Sequence, residues 1–128
     1  MGERGWTPDD RRCQYSFANS TLATPRSMSP AQVYRMAGES LDPQAAAHEY
    51  EQHLRRASNT SPSSRPTLDL VLLGLGEDGH TASLFPGSPA LRDNQCLITV
   101  TQSPKDPPTR LTMPLGVINQ ASVILFLV

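Results

Sequence analysis

The longest apolar runs lie in the second half of the chain. Leu68-Asp69-Leu70-Val71-Leu72-Leu73-Gly74-Leu75 is almost continuous aliphatic sequence punctuated by glycine. That pattern predicts a strand buried on both faces of a parallel sheet. Val123 to Val128 is uninterrupted apolar sequence and the most strand-like stretch in the chain. Leu97-Ile98-Thr99-Val100 predicts a further short strand. Arg110-Leu111-Thr112-Met113 predicts another, alternating polar and apolar. Pro114 to Asn119 fits one or two helical turns. The spacing of Ala45, Ala46, Ala47, Tyr50, His53 and Leu54 predicts a helix from Pro43 to about Ala57, with Asp42 as its cap and proline first. Ser29-Pro30 repeats that start signal, with Val33 and Met36 as a short stripe behind it. Residues 1–28 are polar and turn-rich, and their one regular feature is the charged knot Asp9-Asp10-Arg11-Arg12. Residues 58–66, SNTSPSSRP, read as a connection inside a domain.

A buried parallel strand normally feeds a crossover helix. None follows Val123–Val128, and no apolar strand precedes the charged knot. The pattern therefore reads as the middle of a larger α/β domain.

Composition narrows this picture. A chain of 128 residues supports one modest core, and 12 prolines indicate long irregular connections. The net charge of −1 gives no electrostatic case for nucleic acid or an anionic membrane, so any basic site must be local. Cys13 and Cys96 form neither a disulfide framework nor a metal set, and His48, His53 and His80 are too scattered for a zinc cluster. No apolar run approaches the roughly 20 residues of a membrane span. The expected location is the cytoplasm.

Gly74, Gly76 and Gly79 spell G-x-G-x-x-G after the first strand, the spacing of a dinucleotide site. The context is wrong for that ligand. The third glycine should open a long helix, yet Pro86 and Gly87 stop any helix within about two turns. What remains is a strand end, a tight glycine turn and His80. Ligands of open α/β sheets bind at the carboxyl ends of strands. Successive backbone N–H groups can hold an anion. An imidazole with an ordinary pKa of about 6.5 suits proton transfer near neutrality.

Gly74-Leu75-Gly76-Glu77-Asp78-Gly79-His80-Thr81-Ala82-Ser83-Leu84-Phe85-Pro86 resembles the signature of 6-phosphogluconolactonases. Sugar-phosphate isomerases and deaminases share the Gly-His core. Asp78 and Ser83-Leu84-Phe85-Pro86 favour the lactonase branch. Asp9-Asp10-Arg11 resembles the family's Asp-Glu-Arg, and Ser20-Thr21 a paired polar position. Ser103-Pro104-Lys105 through Arg110-Leu111-Thr112 is similar to its Pro-Lys-Pro-Pro and Arg-Ile/Val-Thr segment, and Val117-Ile118-Asn119 and Val123–Val128 continue the match. Cys13-Gln14 departs from the family's Val-Pro. Family members are also much longer, with a strand and Ser-Gly-Gly loop at the front and a further segment at the back.

The resemblance implies an α/β fold: a Rossmann-like, mostly parallel sheet with flanking helices, incomplete relative to the family, with 1–128 as a single partial domain. It implies hydrolysis of 6-phosphogluconolactone with His80 as general base and no metal or organic cofactor. The N–H groups of the Gly76–Gly79 turn face either the developing oxyanion or the phosphate. Arg11 is the candidate phosphate or substrate contact, or else a surface charge, and Asp9 orients either Arg11 or the substrate. Asp78 either fixes the turn or holds His80. Arg110 is a further substrate candidate or a strand charge. The implied partner is the sugar-phosphate lactone, and an apolar sheet edge offers a route to self-association.

Overall fold

The computed structural model describes residues 2–128. Its strands are β1 (Gly2–Arg4), β2 (Leu70–Gly74), β3 (Thr99–Gln102), β4 (Thr109–Thr112) and β5 (Val123–Leu127). Its α-helices are α1 (Gln14–Ala18), α2 (Pro43–Ala57) and α3 (Leu115–Ile118).

Helix α2 has the predicted limits. The Asp42 side chain accepts the N–H of Ala45, and Pro43 occupies the first position, where no N–H is needed. Ala46 and Ala47 are buried, and Tyr50 and Leu54 pack against the core from the same face. Asn59, at φ +50°, turns the chain out of the helix. Its N–H donates to the carbonyl of Arg56, and that of Thr60 donates to Arg55, which closes the last turn. The second start signal yields less. Ser29 and Gln32 form a complete capping box, but the segment after Pro30 is a single 3₁₀ turn, Pro30–Gln32.

The strands form two sheets. β2 and β5 pair in parallel, with Leu70 opposite Val123 and Gly74 opposite Leu127. β1, β4 and β3 form an antiparallel sheet in that order. The α/β class with a parallel sheet and helices is as expected, but the antiparallel sheet is not. The reason is the short connection 103–108 between β3 and β4. A hairpin tolerates so short a link, whereas a parallel crossover does not. β1 was also unforeseen. It pairs with Arg110–Thr112 through its backbone, so it left no apolar trace in the sequence.

The core runs between α2, the inner face of the β2–β5 pair and the antiparallel sheet. Val71, Leu73, Leu97, Leu111, Val117 and Ile118 are its buried centre. Only one face of β2 is covered, contrary to the two-sided burial its sequence predicts. Val71 and Leu73 point inward, and Leu70 and Leu72 stay exposed, facing an open groove shared with Ala18 of α1 and with Leu22. Replacing Asp42 with alanine removes the α2 cap. It should cost about 1 kcal/mol of stability, read as a lower denaturant midpoint at unchanged slope.

Candidate active site

The loop that follows β2 folds on itself. The N–H of Gly76 donates to the carbonyl of His80 (2.8 Å), and that of Gly79 donates to Gly76 (3.0 Å). Gly79 adopts φ +84°, where L side chains are strained. Gly76 is constrained differently. A Cβ there would overlap Nδ1 and Cε1 of the His80 ring and stand 2.8 Å from Asp78 Oδ1. The imidazole therefore occupies the space a side chain at residue 76 would need.

Asp78 binds His80 twice. Its Oδ1 accepts the His80 N–H (3.2 Å) and lies 2.5 Å from Nδ1. The bond to the imidazole holds the Asp78 carboxyl below its ordinary range. On the other side, the Phe85 ring lies 4.5 Å from the imidazole, centroid to centroid. The His80 side chain is 15% exposed, so it is gripped without being sealed from solvent.

The segment after His80 is anchored at both ends. Thr81 Oγ1 donates to the carbonyl of Gly74. The buried Ser83 N–H donates to the buried Thr112 Oγ1 (3.1 Å), which ties the loop to β4. Leu84 and Phe85 are buried beyond it. Asp78, Phe85 and Ser88 share the wall of an open cleft of about 640 Å³ with Thr101 and Ser103.

Several of the residues singled out in the sequence meet here: His80, Asp78, Gly76 and Gly79 form one unit. The amides of Gly76, Gly79 and His80 are used inside the loop and that of Asp78 bonds its own carboxylate, which leaves the Glu77 amide as the turn's uncommitted donor among the described residues. Asp9 and Arg11 are exposed and make no hydrogen bond or ion pair with this loop among the described residues. In the charged knot the pair that forms is Asp10 with Arg12. Arg12 Nε and NH2 bond the carboxylate at 3.0 and 2.7 Å, and its guanidinium lies 3.5 Å from the centroid of the Trp6 ring. Asp10 is held down to about 2 by that pairing. Arg110 is buried on the central strand of its sheet. It donates to the carbonyls of Pro107 (2.7 Å) and Lys105 (3.3 Å), bracing the β3–β4 connection. Among the described residues, no three His, Cys, Asp or Glu side chains are grouped as a metal site.

Two contributors carried no role in the sequence reading. Phe85 was noted only as part of a signature. Thr112 was read as an alternating strand position and as part of a family-like segment, without a role of its own. A threonine flanked by Leu111 and Met113 on a buried strand was the available signal, because its hydroxyl must find a partner.

The chain belongs to the family described as glucosamine-6-phosphate isomerases/6-phosphogluconolactonase, which it matches over residues 1–128. It is similar to a 6-phosphogluconolactonase of Nostoc sp., 47% identical over 87 residues, covering 68% of this chain and 35% of the relative. The human 6-phosphogluconolactonase is 36% identical over 126 residues, covering 92% of this chain and 48% of the relative. A solved 6-phosphogluconolactonase from Leishmania guyanensis superposes with a TM-score of 0.82 at 31% identity, over 98% of this chain and 54% of that one. The chain thus spans about half or less of these relatives' length. No described helix is long and apolar enough to cross a membrane.

Two outcomes test the loop. Gly76→Ala should displace the imidazole while leaving the helical circular dichroism of α2 intact, and the His80 ring resonances should shift and broaden. His80→Ala should bring the Asp78 carboxyl back up to the ordinary range near 3.9, followed by carboxyl NMR titration. The sign follows from the lowered native value. The loop contact is fully present above the unfolded-state pKa and is lost as pH falls through the depressed one. The same variant should remove that acid-side loss of loop order.

Proposed function

We propose that the chain carries the lactone-hydrolysing centre of a 6-phosphogluconolactonase, opening 6-phosphogluconolactone to 6-phosphogluconate in the oxidative pentose phosphate pathway. The observation that carries this reading is the Asp78–His80–Gly76 unit at the carboxyl end of β2. A carboxylate on Nδ1 favours the tautomer with its proton there, so the lone pair sits on Nε2. His80 then takes a proton from water through Nε2 as the water oxygen attacks the lactone carbonyl carbon. The tetrahedral intermediate collapses with cleavage of the ring C–O bond. The departing alkoxide takes the proton back from His80, so water and lactone yield the hydroxy acid and the base is regenerated.

The oxyanion needs donors aimed at it. The Glu77 amide fills that role in this reading, because those of Gly76, Gly79 and His80 are engaged within the loop and that of Asp78 bonds its own carboxylate. Gly76 and Gly79 shape the substrate site rather than donate to it. Arg11, exposed beside Asp9, is the proposed phosphate contact, its planar guanidinium matching phosphate oxygens. Arg110 acts indirectly, through the connection it braces at the rim of the cleft. A cytoplasmic location accords with this metabolic role. A second reading, that the isolated chain is catalytically weak, is favoured by its uncovered sheet face.

A direct assay of lactone opening against the spontaneous rate separates these. Weak hydrolysis is expected from the chain alone, with whatever gain there is falling by about 10² or more in His80→Ala. Strong hydrolysis by the chain alone would remove the second reading. Hydrolysis indifferent to His80→Ala would remove the first, and turnover of glucosamine 6-phosphate instead would move the chain to the isomerase side of its family.

A further inference from the structure

Between His80 and Phe85 the chain reverses in a tight turn, Thr81 to Leu84, whose second residue is strained. Ala82 sits at φ +51°, in the left-handed region that a residue with a Cβ rarely adopts. Such a conformation persists only where its surroundings hold it. Three hydrogen bonds do so here. The N–H of Leu84 donates to the carbonyl of Thr81 (2.9 Å), and Thr81 Oγ1 donates to the carbonyl of Gly74 (2.9 Å). Both of these stay within β2 and its loop. The third, from the N–H of Ser83 to Thr112 Oγ1 (3.1 Å), is the one that reaches the other sheet among the described residues. Thr112 makes a fixed post for it. The residue is fully buried on the central strand β4, paired with Thr99 on one side and Gly2 on the other. Its hydroxyl donates to the Met113 carbonyl (3.3 Å), which leaves a lone pair for the Ser83 N–H. Phe85, one residue beyond the turn, then lies 4.5 Å from the imidazole one residue before it, centroid to centroid.

We propose that Thr112 is a positioning residue for His80. Its hydroxyl holds the strained turn at Ser83, the turn sets Phe85 against the imidazole, and the ring keeps one orientation between Phe85 and Asp78. Without that acceptor the Ser83 N–H is left buried and unpaired, a costly state that the turn escapes by opening. Ala82 then relaxes out of the left-handed region, and Phe85 moves off the ring. The consequence for lactone hydrolysis rests on the reading of His80 as base. The placement of the ring does not.

Two substitutions separate the hydroxyl from the methyl group of Thr112. Thr112→Val keeps the shape and removes the acceptor. Thr112→Ser keeps the acceptor and leaves a gap in the core. In NMR spectra of the unaltered 128-residue chain, the ring current of Phe85 should shift the His80 ring protons, and the Ser83 amide should exchange slowly. Thr112→Val should lose both signatures with the α2 circular dichroism retained. Thr112→Ser should keep both while its denaturant midpoint falls. The chain's gain over the spontaneous rate of lactone opening should drop about 10-fold in Thr112→Val at unchanged KM, and recover in Thr112→Ser. A His80 shift that survives Thr112→Val overturns the proposal. So does a shift that Thr112→Ser loses as fully as Thr112→Val, because Thr112 then acts by packing alone. A shift lost in Thr112→Val with hydrolysis unchanged supports the positioning and counts against His80 as base. If Thr112→Val does not fold, heating the unaltered chain decides. Joint loss of the Ser83 protection and the His80 shift supports the link, and a His80 shift that outlasts the Ser83 protection overturns it.

Discussion

The imidazole of His80 fills the space that a side chain on Gly76 would occupy, and the geometry of the site follows from that exclusion. With the ring packed over the Gly76 backbone, the Gly76 amide reaches the His80 carbonyl and the turn closes in a short span. Asp78 at the turn's apex then meets both the backbone and the ring of His80. The closed turn is fixed to the rest of the molecule by the Thr112 hydroxyl. Its burial leaves it little choice but to accept the Ser83 N–H. The histidine's position is thus set by a strand of the other sheet as much as by the strand that precedes it.

Two acids in the chain share one arrangement and differ in consequence. Asp10 with Arg12, and Asp78 with His80, each pair a carboxylate with a cationic or hydrogen-bonding side chain two residues on. Both carboxyls are lowered by the bond to that partner. Both acids are open to solvent, where such pairs add little to stability. Their effect is directional. One holds Arg12 over Trp6, and the other holds the His80 ring through Nδ1.

The apolar economy of the fold is lopsided. Val71 and Leu73 are buried on the inner face of β2, whereas Leu70 and Leu72 are not buried on the outer face. Full burial of such a side chain stabilises by about 1.5–3 kcal/mol, and the described residues forgo part of that along the outer face. The inner core is closed, so α2 and the antiparallel sheet are supported. The parallel pair that carries the site is supported from one side.

Local chemistry was legible from residues near one another in sequence. Asp42-Pro43 and the spacing behind it marked α2 to its ends, because capping and helical periodicity are short-range. The glycine turn and His80 were legible for the same reason: turn geometry is written in neighbouring residues. Ser29-Pro30 shows the limit, since a complete capping box opened only one 3₁₀ turn where too few apolar residues followed to hold a helix on the core. Contacts between distant segments were decided by the tertiary structure alone. The pairing of backbone-held β1 with β4, the burial of Arg110 as a brace and the grip of Thr112 on Ser83 depend on which strands meet. Hydrophobic pattern tells a strand which way to face, but its neighbours and their direction are selected by connection length and packing across the whole chain.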